Sequence, residues 1–120
     1  MHLSASGTEL VDMDYELLEL KREFLAEADG KVREIQNVLD GERDSKALDR
    51  LAYLAHQLKG SGGSYGYARI SSDAAELEKG VERIAGGESA DALEAKLQQH
   101  ALNLRTEIDK ATRELAIVKS

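Results

Sequence analysis

Apolar residues recur at every third or fourth position through four long blocks of this chain, and no proline interrupts any of them. That period is the period of the α-helix, and a stripe of this kind has to be buried against another element. The first block begins near Asp14 and carries Leu17, Leu20, Phe24, Ala28, Val32, Ile35 and Leu39, widened by Leu25 and Val38. Gly30 lies inside it and costs about 1 kcal/mol relative to alanine, which a long helix absorbs. The second block carries Leu48, Leu51, Ala55, Leu58 and Gly62, with Asp44 or Ser45 placed to cap its start. The third carries Ile70, Ala74, Leu77, Val81 and Ile84, with Ser71 and Ser72 near its start. The fourth, capped by Ser89, carries Leu93, Leu97, Ala101, Leu104, Ile108 and Leu115, with Ala111 filling the gap. Glycines at 41, 66 and 86–87 mark the stops between blocks.

Four long helices with short connections fold back on one another, so the expected fold is all-α. It is an antiparallel up-down four-helix bundle with a short N-terminal capping helix, the latter built from Thr8, Glu9, Leu10 and Val11. Residues 1–7 are small and polar and are expected to be disordered, leaving residues 8–120 as one domain. The same seams permit an intermolecular coiled coil, but the glycine stops favour closure within one chain, and the charged outer faces suggest a monomer. Leu, Ala, Glu, Lys and Arg are good helix formers, and a single Phe with no Trp leaves little material for strands.

The net charge of −7 disfavours nucleic acid and anionic membrane surfaces as partners, since both require a surplus of Lys and Arg. The absence of cysteine removes disulfides and thiolate zinc sites and fits a reducing compartment. The start, MHLSASGTEL, has neither the basic nor the apolar run of a signal peptide, and no stretch has the length of a membrane span. A cytoplasmic location is expected.

The glycine-rich run GSGGSYG invites a phosphate-loop reading, which its context rejects. A P-loop needs Lys-Ser/Thr after its last glycine and a dinucleotide fold needs a preceding strand, whereas Tyr67-Ala68 follows Gly66 and a helical block precedes the run. The run reads instead as the end of a helix made slim so that something can approach it.

His56 stands just before that run, one residue and so about 100° off the stripe through Ala55 and Leu58. Its neighbours one turn away are Ala52, Lys59 and Gly60, with Gly63 a further turn on. Small side chains on this ridge leave the imidazole standing clear, at the expense of helix propensity, as is expected where a site overrides local preference. A neutral imidazole is a competent nucleophile, and Lys59 puts positive charge where a phosphoryl group on His56 would lie. No serine, cysteine or carboxylate partner stands at an obvious spacing, so the ring is expected to act alone. His2 falls in the N-terminal stretch and is expected to be inert. His100, between Leu97 and Ala101, reads as a packing residue on a helix flank.

The string Ala55-His56-Gln57-Leu58-Lys59-Gly60, followed by Gly63, Gly66 and the pair Leu77-Glu78, resembles the histidine-containing phosphotransfer (HPt) domain family. The motif-level likeness runs from Leu51 to Glu78, and FLAEADGKVREIQNVLD resembles the family's preceding helix. The resemblance implies a phosphorelay intermediate in which His56 accepts a phosphoryl group from the aspartyl phosphate of one receiver domain and passes it to the aspartate of another. It implies that Lys59 holds the phosphoryl oxygens, that Gly63 leaves room for the docked partner and that Gly60 allows close packing or approach. Ala52 completes the small ridge, and Gln57 contacts the receiver or orients the phosphoryl group. Response-regulator receiver domains and a hybrid histidine kinase are the implied partners. The chain itself needs no cofactor or metal, magnesium being supplied by the receiver, and it has no ATP-binding domain, so no autokinase activity is expected. Tyr65 and Tyr67 flank Gly66 and either pack in the turn or rim the docking surface. Two rival readings are a helical interaction module with an incidental histidine and an adaptor that binds kinase or receiver without phosphotransfer.

Overall fold

In the computed structural model the chain forms four helices, α1 His2–Asp40, α2 Ser45–Ser64, α3 Ala68–Ala85 and α4 Ala90–Lys119. The structure describes the backbone of residues 2–119 and the side-chain surroundings of residues 15–117. Each helix packs on its neighbours in sequence, and α4 closes the ring against α1. The backbones of the diagonal pairs, α1 with α3 and α2 with α4, do not come close to one another among the described residues. The centre is wholly apolar: among the described residues every buried side chain is hydrophobic, from Phe24 and Ile35 on α1 through Leu51, Leu58, Leu77 and Leu97 to Ile108 on α4.

Every stripe position of the third and fourth blocks is buried or packed against the core, Ile84 and Ala111 at its margin. Leu54 joins the second stripe beside Ala55 and widens it. The first block departs from expectation. Leu17 and Leu20 are 45 % and 47 % exposed, although they continue the stripe. The reason is length: α1 has 39 residues, α2 only 20, and Phe24 already lies level with Tyr65 at the far end of α2. Helix residues before that level have outrun one of their two neighbours. The separate capping helix over Thr8–Val11 is also not found. Those residues are the early turns of an unbroken α1, since no proline and no glycine pair interrupts the helix there.

The connections are fixed by local chemistry. The Asp44 carboxylate accepts from the Ala47 backbone N–H at 2.9 Å and caps α2. At the other end Gly66 takes φ +83°, its N–H donates to the Gly63 carbonyl at 3.1 Å, and the Tyr67 N–H donates to the Gly62 carbonyl at 2.8 Å. This paired arrangement closes the helix through a left-handed residue, a conformation that favours glycine. Gly87, at φ +104°, repeats it at the end of α3, where N–H groups of Gly87 and Glu88 donate to carbonyls of Ile84 and Arg83. Tyr65 and Tyr67 both stack on Phe24, with ring centroids 5.2 and 5.8 Å away, so the turn after α2 is pinned to α1.

The backbones of α2 and α3 approach closely at Gly62. A Cβ on Gly62 would lie 3.1 Å from Ile70 Cγ2 and 3.2 Å from the Ser71 backbone nitrogen. Beside it, Ser71 Oγ donates to the Lys59 carbonyl at 2.8 Å, a bond between the two helices. Gly62→Val is therefore expected to destabilise the fold by about 1–3 kcal/mol through overpacking. Urea unfolding followed by circular dichroism checks this, with a lowered midpoint as the expected result.

Candidate functional site

His56 projects from the flank of α2 with its side chain 66 % exposed, where its offset from the buried Ala55 and Leu58 puts it. Its Nδ1 lies 2.9 Å from Glu78 Oε2 on α3. The other carboxylate oxygen, Oε1, accepts from Lys59 Nζ at 2.7 Å. One carboxylate thus spans the α2–α3 seam and holds both basic side chains. Glu78 itself is largely covered, its side chain 15 % exposed.

Burial is the largest single influence on Glu78 and raises its pKa, but hydrogen bonds from Lys59 and His56, with their charges, outweigh it and hold the carboxyl below the ordinary value. Glu78 is therefore ionised at neutral pH and can only accept hydrogen bonds. It follows that the proton of a neutral His56 ring sits on Nδ1, and the lone pair is on Nε2, which has no hydrogen bond among the described residues. A charged carboxylate behind an imidazole also stabilises positive charge that develops on the ring when Nε2 attacks an electrophile. The arrangement makes a tautomer-fixed, solvent-facing nucleophile.

Sequence reasoning takes Leu77-Glu78 as part of the HPt-like motif but gives Glu78 no contact with His56, because no carboxylate stands at helical spacing from the histidine. A signal was present: Glu78 follows the core residue Leu77 by one position, as His56 follows Ala55, so both occupy flanks of adjoining helices. Their separation of 22 residues is bridged only by the fold.

The other expected positions divide. Gly60 and Gly63 are exposed on α2, and a Cβ at Gly60 would meet nothing within 4 Å. Gly62, by contrast, serves the α2–α3 contact. Gly63 faces Ser71 Oγ, 3.5 Å from where a Cβ would be. Ala52 is partly buried against the core and contributes less open surface than its size suggests. Gln57 donates from Nε2 to Tyr53 Oη at 2.6 Å and lines, with Lys31, His56, Gly60, Ser61, Ser64 and Tyr65, an open depression on the α1 side. His100 is tied by Nδ1 to Asp73 Oδ1 at 3.0 Å, and the same oxygen accepts from Asn103 Nδ2 at 3.1 Å. This is a polar clasp between α3 and α4, away from His56. Among the described residues no cluster of His, Cys, Asp and Glu is arranged to hold a metal ion, and no helix is long and apolar enough to cross a membrane.

On this four-helix bundle an exposed histidine, His56, is backed by a carboxylate and followed one turn later by a lysine. The Hpt domain family model matches residues 19–113, and the chain belongs to that family. Its members are phosphorelay intermediates that transfer phosphoryl groups through histidine, interact with receiver domains of two-component systems and are not themselves kinases. No curated protein and no solved structure matches the chain.

The depressed pKa of Glu78 means that its contribution to stability is present above the ordinary glutamate value of about 4.5 and is lost as pH falls through that value toward the lower folded one. Acid unfolding should show the wild type losing about 1 kcal/mol more than Glu78→Gln across this range, a figure already reduced for the exposure of Lys59. Gly60→Ala removes a flexible residue from an open helix position and is expected to stabilise the isolated protein by about 0.5–1 kcal/mol, read as a raised thermal midpoint.

Proposed function

We propose that His56 is the phosphoryl-carrying residue of this Hpt domain, taking the group from the aspartyl phosphate of one receiver domain and passing it to the aspartate of another. The observation that carries the reading is the 2.9 Å contact between His56 Nδ1 and Glu78, which leaves Nε2 as the free nucleophile. The Nε2 lone pair attacks phosphorus in line with its bond to the aspartyl oxygen. That bond breaks, its electron pair leaves with the carboxylate, and the ring becomes an N-phosphorylated imidazolium that keeps its Nδ1 proton. Glu78 faces the new positive charge. Transfer to the second receiver is the same step reversed.

Lys59 supplies the charge for the phosphoryl oxygens. Its ammonium is held by Glu78 one turn from His56, so it is positioned before the group arrives. Gly60 and Gly63, with Ala52 and Gln57, form the surface on which the receiver settles, and the open space above Gly60 supports that assignment. The magnesium ion belongs to the receiver. The partner kinase in this reading is a hybrid histidine kinase, and the chain works as a cytoplasmic monomer without autokinase activity. Glu34–Arg50 and Phe24–Tyr65 between α1 and α2, Gly62–Ile70 and His56–Glu78 between α2 and α3, and Arg69–Glu107 and Asp73–His100 between α3 and α4 are pairs in which residue numbers rise along one helix and fall along the next. They support the antiparallel up-down arrangement.

Incubation with a radiolabelled phosphoreceiver tests the assignment. Label stable to base and labile to acid is expected on the wild type and absent from His56→Gln; persistence of label in that variant would overturn it. Glu78→Gln should still accept label, but about tenfold to a hundredfold more slowly, the scale for groups that orient a reactive imidazole. An adaptor that only binds receivers would take no label from any of them.

A further inference from the structure

His56 has two flanks of different character. On the α3 side, Lys59 is neutralised by Glu78. On the α1 side lies the open depression lined by Lys31, Gln57, Gly60, Ser61, Ser64 and Tyr65, and no carboxylate contributes to it. This is unexpected in a chain with 23 acidic residues against 16 basic ones. Residues 57, 60, 61 and 64 form one ridge of α2 by their spacing of three and four, so the groove is the α1–α2 seam opened by small residues. Lys31 reaches it from α1. The pairs Glu34–Arg50 and Phe24–Tyr65 bracket it and place it level with the His56 turn of α2. Among the described residues Lys31 makes no ion pair, and the hydroxyls of Ser61, Ser64 and Tyr65 make no hydrogen bond. The groove therefore offers an unneutralised cation and free hydroxyl donors beside the nucleophile.

From this charge pattern we infer that the α1–α2 groove is the specificity-determining dock for the acidic face of a phosphorylated receiver domain, with Lys31 as the residue that recruits it. The inference rests on the phosphorelay reading above and deepens it. A domain that holds magnesium beside an aspartyl phosphate presents carboxylates and phosphoryl oxygens together on one face. Against the otherwise acidic surface of this chain, such a face is repelled except where positive charge stands unpaired. A rim charge of this kind acts mainly on the rate of encounter, and its effect weakens with salt. Lys31 thus governs capture of the partner, while Glu78 and Lys59 serve the step at the ring.

The test compares two phosphoryl donors at His56: a receiver domain loaded with acetyl phosphate, and phosphoramidate, a small donor that needs no docking. Lys31→Glu is expected to lower kcat/KM for the phosphoreceiver about tenfold with the maximal rate unchanged, and to flatten its dependence on ionic strength. Lys31→Arg should behave as the wild type, and so should Lys96→Glu, an equal change of charge on α4, whose backbone does not come close to that of α2 among the described residues. Labelling by phosphoramidate should be the same in all of them. The dock is overturned if Lys31→Glu matches Lys96→Glu with the receiver. It is equally overturned if phosphoramidate labelling falls in parallel, since Lys31 would then act at the ring. If the wild type takes phosphoramidate label on His56 but none from any phosphoreceiver, the phosphorelay reading itself fails and the dock with it.

Discussion

The close approach of α2 and α3 around Gly62 is the constraint on which the site depends. With no side chain at that position, Ile70 and the Ser71 backbone come to within contact of the α2 backbone, and Ser71 can bond the Lys59 carbonyl. Two helices held at this distance bring their flanks, and not only their buried stripes, within hydrogen-bonding reach. Glu78 can then touch His56 and Lys59 at once. At a wider separation, the same three side chains would be solvated individually and the histidine would have no fixed tautomer.

The glycines between residues 60 and 66 have different tasks, although they look alike in the sequence. Gly62 admits a neighbouring helix, Gly66 permits the left-handed residue that ends α2, and Gly60 faces open space. Only the first two are needed by the fold as it stands. A glycine in mid-helix with nothing near it is a cost without a structural return, which is why Gly60 points to a requirement outside the isolated chain. The pattern agrees with a surface kept low for a partner that presses against it.

Electrostatics divide the labour around the nucleophile. The Glu78 carboxylate is largely covered and is kept ionised by its two basic neighbours, so it can hold a proton on Nδ1 and balance charge on the ring. On the opposite flank the unpaired Lys31 and a row of hydroxyls leave a field that is not cancelled. In the reading proposed above, reaction and recognition fall to different helices on either side of one histidine. Since α2 contacts both α1 and α3, the two functions share a single rigid support.

The sequence by itself determined the four helices, most of the faces they bury and the exposure of His56, because each of these depends on a period of three to four residues and on local boundary residues, the cap Asp44 and the stops Gly66 and Gly87. The HPt motif was legible for the same reason, being almost entirely contained in one helix and the turn that follows. The tertiary structure decided the pairing of Glu78 with His56, the position of Lys31 beside the same ring and the exposure of Leu17 and Leu20. None of these is periodic. The first two depend on how closely neighbouring helices approach and in what register, and the third on how far α1 outruns α2. These are properties of helix pairs, and no single helical stripe encodes them.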